Sequence, residues 1–143
     1  MKRIRLKIKG GSDRAILKEE IQAILREIAI KRDGGCIFRN YPETGKCGGF
    51  RKDGQLILQF DHLNSRANAI SFSDSRLGVC ACKRHHLFYK RQYPSEYEKY
   101  AIDNLGQERT ELLYRVRADN RPYKVDLKLA LIGLRQELAL LIT

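Results

Sequence analysis

The chain has 143 residues, with 28 Lys and Arg against 17 Asp and Glu, four Cys, three His, no Trp and a formal net charge of +11. That length predicts one domain with room for a terminal arm. A hydrophobic fraction of 43% excludes wholesale disorder, and no apolar run reaches the roughly 18 residues of a membrane span.

The N-terminus carries Lys and Arg without the apolar core and cleavage site of a signal peptide. The expectation is a cytoplasmic protein whose thiols stay reduced, where four Cys point to metal binding rather than disulfides. The charge is unevenly placed. Residues 1–9 hold five basic and no acidic side chains, residues 36–91 ten and four, and the segments 10–35 and 92–143 balance. A concentrated basic excess points to a polyanion partner, most often nucleic acid.

Residues 1–11 form a basic arm. Ile4, Leu6 and Ile8 alternate with Arg3, Arg5, Lys7 and Lys9, the pattern of an extended segment. It suits a charged edge strand, and with Arg3 and Arg5 it equally suits a grip on a phosphate backbone. Gly10-Gly11-Ser12 breaks the pattern, and Ser12 or Asp13 can cap a helix. Leu17, Ile21, Ile24 and Ile28 follow at spacings of four, three and four. They predict one helix within 12–35, of about 18 residues, ending near Asp33-Gly34-Gly35.

Residues 36–91 contain all the Cys and His and several Gly, with short β-like runs such as Leu56-Ile57-Leu58-Gln59-Phe60. Such a loop-rich module buries little by itself, and a metal supplies the missing stability. From Pro94-Ser95 the pattern returns to helix: a short one containing Tyr97, a second over Gln107–Arg117, and a last one with Leu127, Leu131, Leu134, Leu138 and Leu141 after Asp119-Asn120-Arg121-Pro122. The first and last stripes share a period. They either pack on each other within the chain, the favoured arrangement, or build a homodimer. Tyr89, Tyr93, Tyr97 and Tyr100, spaced mostly by four and three, read as a helix-packing stripe rather than a base-stacking platform.

The chemistry-bearing residues run Cys36, Cys47, Asp61-His62, Cys80, Cys82 and His85-His86. A tetrahedral zinc site takes two ligands from each of two turns. Cys82-Lys83-Arg84-His85 has the usual two-residue gap and makes one half, and Cys36 with Cys47 makes the other by elimination. Cys80 with Cys82 is the alternative, although two ligands one residue apart fit a single ion less easily. Cys80 therefore reads as a buried small residue. Asp61, His62 and His86 are left over. Asp61 and His86 together can hold Mg²⁺ or Mn²⁺, and His62 is then a general base activating water against phosphorus.

Asp61-His62, a loop and Cys82-Lys83-Arg84-His85-His86 resemble the HNH (ββα-metal, His-Me finger) nuclease motif. There an Asp-His pair on a β-hairpin faces a metal-binding His or Asn at the start of a helix. Further features are similar to the phage NinG/Rap recombination proteins. They are Cys36 after a helix ending in Lys31-Arg32-Asp33, Ser65-Arg66 after His62, Phe72, Asp74-Ser75-Arg76, Tyr97, Asn104-Leu105-Gly106, Leu112-Leu113 and Tyr123-Lys124. The match spans residues 24–138. The chain departs from the family pattern in four places. Cys36 lacks its usual partner two residues on, so Cys47 must substitute. His85 stands for a Cys, and His86 for what is often an Asn. The middle Asn falls near Leu77, with Asn64 or Asn68 left to hold the loop.

The resemblance implies an α+β fold. A zinc-stabilised ββα-metal module (36–100) is clasped between the N-terminal helix (12–35) and a C-terminal helical region (101–143), all in one compact domain. It implies structure-selective cleavage of branched DNA, Holliday junctions or D-loops, in phage recombination within a bacterial host. Arg66, Lys83, Arg84, Lys90 and Arg91 join Arg3 and Arg5 as candidate backbone contacts. A bent junction suits this family because a short hairpin and helix must enter a widened minor groove. The alternative is a zinc-knuckle DNA-binding protein with no use for Asp61, His62 or a second metal.

Overall fold

A computed structural model of the chain describes residues 12–64, 69–119 and 124–143. Arg3, Arg5, Arg66, Asn68 and Tyr123 lie outside the described residues.

The architecture is α+β and mostly helical, with a two-stranded sheet at its centre. Helix α1 (Ser12–Asp33) runs four residues beyond the 18 expected and stops at Gly34 and Gly35, whose φ of 75° and 135° a side chain would strain. Of its expected stripe, Ile21 and Ile28 are fully buried, while Leu17 and Ile24 are half-covered. Leu25 and Ala29 complete the buried face.

Strand β1 (Leu58–His62) pairs antiparallel with β2 (Gly78–Cys82), Leu58 opposite Cys82 and His62 opposite Gly78. The loop between them carries the short helix α2 (Ala69–Phe72) and a helical turn at Ser75–Leu77. Gly78 cannot be replaced cheaply: a Cβ there would lie 2.1 Å from the Phe60 ring and 2.7 Å from the Asp61 carbonyl. Beyond β2 a π-helical turn (His85–Tyr89) runs directly into helix α3 (Lys90–Gln92).

Three helices complete the chain: α4 (Pro94–Leu105), α5 (Gln107–Ala118) and α6 (Leu127–Ile142). Asp126 caps α6 by accepting from the Lys128 and Leu129 amides at 3.0 and 3.2 Å. Helix α4 crosses residue 100 and carries Tyr97, Ala101 and Leu105 into a single cluster.

Two apolar clusters result. One joins Phe38, Leu77, Val79, Ala81 and Leu113 to the buried face of α4. The other joins α1 to α6 through Ile21, Leu25 and Ile28 against Leu127, Leu131 and Leu134, with Phe72 alongside. The two terminal stripes therefore pack on each other within the chain. Burial of each such side chain contributes roughly 1.5–3 kcal/mol. The α6 stripe ends before Leu141, which is exposed. Among the described residues, no helix is long and apolar enough to cross a membrane.

Candidate functional site

The buried turns around β2 bring Cys36, Cys47, Cys82 and His85 together, one ligand atom from each, all within 4.8 Å of one another. Cys36 lies just beyond the α1 glycines, where it opens the helical turn Ile37–Asn40. Cys47 follows a second turn, Pro42–Thr44. Cys82 ends β2, and His85 begins the π-helical turn. Cys80 is not among the four. It is fully buried on β2 opposite Phe60, and its amide donates to Asp33 Oδ2 at 2.9 Å.

The orientation of His85 is fixed from behind. Its Nε2 lies 3.2 Å from the Thr44 carbonyl and 3.0 Å from Thr44 Oγ1. A carbonyl only accepts, so Nε2 carries the proton and Nδ1 offers its lone pair. That Nδ1 is 3.0 Å from Cys82 Sγ and 3.8 Å from Cys36 Sγ. Phe38 stacks on the imidazole at 5.1 Å.

Three sulfurs and one imidazole nitrogen, convergent and buried except for the half-buried Cys47, are a donor set that fits a structural zinc ion, and these residues can hold one. The thiols are already polarised. A hydrogen bond from Cys36, with one from the His85 backbone amide, pushes Cys82 down to about 3 against the cost of burial. The same bond to Cys82, with burial, drives Cys36 up, and burial raises Cys47. A cation at the centre is what allows all three to ionise.

The second group lies farther along the same strand pair, and Phe38, which stacks on His85, also stacks on its Tyr97 at 4.5 Å. Asp61 is only 3% exposed. Tyr97 Oη donates to its Oδ2 at 2.7 Å, and Lys90 Nζ lies 3.0 Å from both carboxylate oxygens. His86 Nε2 stands 3.1 Å from Asp61 Oδ1, with its Nδ1 2.6 Å from Gln59 Oε1. Burial pushes the Asp61 carboxyl up, but His86, Lys90 and Tyr97 together outweigh it and hold the group below the usual carboxylate range. Burial and then the Asp61 charge raise the Tyr97 phenol well above its ordinary value, so it remains a donor.

His62 is adjacent in sequence and points elsewhere, as alternation along a strand requires. Its Nε2 donates to the Phe72 carbonyl at 3.0 Å, which leaves Nδ1 as the basic nitrogen. Phe72 stacks on the ring at 5.5 Å, and Phe60 meets it edge-on at 4.8 Å. Asp61, His62 and His86 all line one cleft of about 530 Å³ between β1 and α1, with Glu19, Gln22 and Arg26 on the helical wall. Arg26 also donates to the Leu58 carbonyl at 2.7 Å.

The cationic residues have divided tasks. Arg84 donates to the Lys46 carbonyl at 2.7 Å and braces the loop that carries Cys47. Lys90 is engaged with Asp61, while Lys83 and Arg91 are exposed. Leu77 is wholly buried, and Asn64 reaches across the β1–β2 loop to Ser71 Oγ at 3.1 Å. Thr44, Gln59 and the Tyr97 hydroxyl support the two groups, and sequence reasoning did not find these roles. Tyr97 read as packing, and no spacing links position 44 to 85 or 59 to 86.

No protein-family model, curated protein or solved structure matches this chain.

Proposed function

We propose that the chain is a metal-dependent DNA endonuclease of the HNH (ββα-metal) type, related to the phage NinG/Rap proteins and acting on branched DNA during recombination. The observation that carries this reading is the convergence of Asp61 and His86 at 3.1 Å in the cleft that His62 also lines. That separation suits two neighbouring ligands of one small octahedral cation, and a carboxylate with an imidazole is a fitting donor pair.

Asp61 and His86 would hold Mg²⁺ or Mn²⁺, with phosphate oxygens and water completing the shell. When bound, the ion supplies positive charge to the leaving oxygen and to the charge developing at phosphorus. His62 accepts a proton at Nδ1 from the attacking water, and the Phe72 carbonyl holds the tautomer that makes Nδ1 basic. Tyr97 and Gln59 orient Asp61 and His86 from behind. Lys90 balances the Asp61 charge, with its ammonium 3.0 Å from both carboxylate oxygens, and a cation held by Asp61 would take over that role. Structural zinc at Cys36, Cys47, Cys82 and His85 fixes where the π-helical turn, and so His86, begins.

The other reading, a zinc-knuckle DNA-binding protein without catalysis, is favoured by the Lys90 ammonium, which already gives Asp61 an internal counter-charge. Incubating the zinc-loaded chain with supercoiled plasmid and a four-way junction in Mg²⁺ or Mn²⁺ separates the two. Cleavage is expected, with His62→Ala slower by about 10²–10⁴-fold at unchanged zinc content. No cutting by the wild type, or undiminished cutting by His62→Ala, overturns the nuclease assignment.

A further inference from the structure

Two large aromatic rings, on the segments that follow Cys47 and His85, stand in solvent. Phe50 and Phe88 are each 61% exposed. Phe50 pairs with Leu56 in an isolated bridge that ends in a turn, the Gly54 amide donating to the Arg51 carbonyl at 2.9 Å. Phe88 projects from the π-helical turn, a backbone irregularity often found at functional positions.

The structure holds these two segments side by side. The Arg84 amide donates to the Gly48 carbonyl at 3.1 Å, and a cavity of about 440 Å³ is lined by Gly49, Lys83, Arg84 and Phe88. Gly49 makes the approach possible: it has φ +90°, and a Cβ there would lie 2.7 Å from Lys83 Cβ. The surroundings are cationic. Lys46, Arg51 and Lys52 are exposed near Phe50 in sequence, with Asp53 the one acid among them, and Lys83 and Arg91 are exposed on the Phe88 side, where Arg84 and Lys90 are held by the Lys46 carbonyl and Asp61.

We propose that the exposed rings of Phe50 and Phe88 stack unpaired bases of DNA while the exposed cations near them follow its backbone. A phenyl ring has no polar group to read a base edge, but every base has a face to stack, so the contact is sequence-tolerant. The cations supply the complementary charge. A fully paired duplex offers no free base faces, whereas a branch point or single-stranded segment does. The inference rests on the DNA-binding half of the proposed function and names the substrate feature recognised: unpaired bases.

The test uses the zinc-loaded full chain without Mg²⁺ or Mn²⁺. Binding is measured by anisotropy to a labelled duplex carrying a run of unpaired thymidines and to the same duplex fully paired. The Phe50→Ala/Phe88→Ala variant is expected to lose on the order of 10-fold or more on the unpaired DNA, and less than about twofold on the duplex. Because the chain has no Trp, the Phe88→Trp variant carries a single indole reporter, expected to retain affinity and be quenched by the unpaired run.

Unchanged affinity of the double variant, equal loss on both DNAs at full zinc content, or an unquenched indole overturns the proposal. So does conversion of a wild-type dimer to a monomer by the double variant, which makes the rings a contact between copies. Should the double variant lose zinc, indole quenching decides alone. Quenching in a chain that cuts nothing removes the nuclease and leaves this surface; cutting without quenching does the reverse.

Discussion

In the α1–α6 pair, Ile21, Leu25 and Ile28 meet Leu127, Leu131 and Leu134 across an apolar seam. At the Cys–His cluster beyond β2, the centre is instead three thiols and an imidazole drawn together by two helical turns, the end of β2 and the π-helical turn after it. The first region gains stability continuously with apolar area, at about 25 cal/mol per Å². A zinc ion held there would make the second depend on one centre, since structural zinc in small modules is worth roughly 10–16 kcal/mol. Distributed packing tolerates the loss of one side chain, whereas a single centre fails as a unit.

The largest effect should therefore come from the Cys–His cluster. Cys82→Ala is expected to abolish stoichiometric zinc binding and cost several kcal/mol or the folded state itself, read by metal content and thermal denaturation. Cys80→Ala, two positions away on the same strand, should keep its zinc and lose only about 1–2 kcal/mol for a small buried group. Full zinc in Cys82→Ala would break the comparison at its root.

The packed pair should respond next. Leu25→Ala removes a fully buried side chain from the α1–α6 seam, with an expected cost of about 2–5 kcal/mol in denaturant unfolding. Zinc content should be unchanged. Loss of zinc on this substitution would mean that the two regions are coupled rather than merely adjacent.

These differences also explain what the sequence made legible. The terminal helices announced themselves because spacings of three and four survive any tertiary context that keeps one face buried. The zinc set could be read because Cys82 and His85 keep a ligand gap and Cys80 fits such a gap poorly. Thr44 behind His85 and Tyr97 behind Asp61 could not. A hydrogen bond between positions 41 or 36 apart has no period and no motif. Lys90 and Arg84 read as backbone-facing cations because a sequence shows the charge and not the carboxylate or carbonyl that engages it. Strand β1 begins at Leu58, two residues later than the apolar run suggested, because Leu56 bridges back to Phe50 instead.

Tyr97→Phe gives a smaller effect with a distinctive pH signature. It deletes one hydrogen bond to a buried carboxylate, at an expected cost of about 1–3 kcal/mol near neutral pH. Asp61 is held below the usual carboxylate range in the folded chain. Its stabilising contribution is therefore complete above the unfolded value of about 3.9 and is lost as pH falls through the lower folded value. Since the Tyr97 bond is one of the contacts that lower it, wild type and variant should differ most at neutral pH and converge below about pH 4. A constant difference across that range would show that the hydroxyl acts through packing and not through the Asp61 charge.

The smallest expected effect lies on the surface of the packed pair. Arg135 on α6 reaches Glu20 on α1 at 2.9 Å, with both side chains substantially exposed. In water the attraction between such groups is weak, and ordering two long side chains offsets much of it, so Arg135→Ala should cost about 0.2–1 kcal/mol. The screening length falls from about 10 Å at 0.1 M salt to about 3 Å at 1 M, so the cost should shrink toward zero in molar salt while the Leu25→Ala cost does not shrink with it. If Arg135→Ala instead cost as much as Leu25→Ala at all salt concentrations, the seam would be held by a specific polar lock. The distinction between distributed apolar packing at α1–α6 and a single polar centre at the Cys–His cluster would then fail on the packed side.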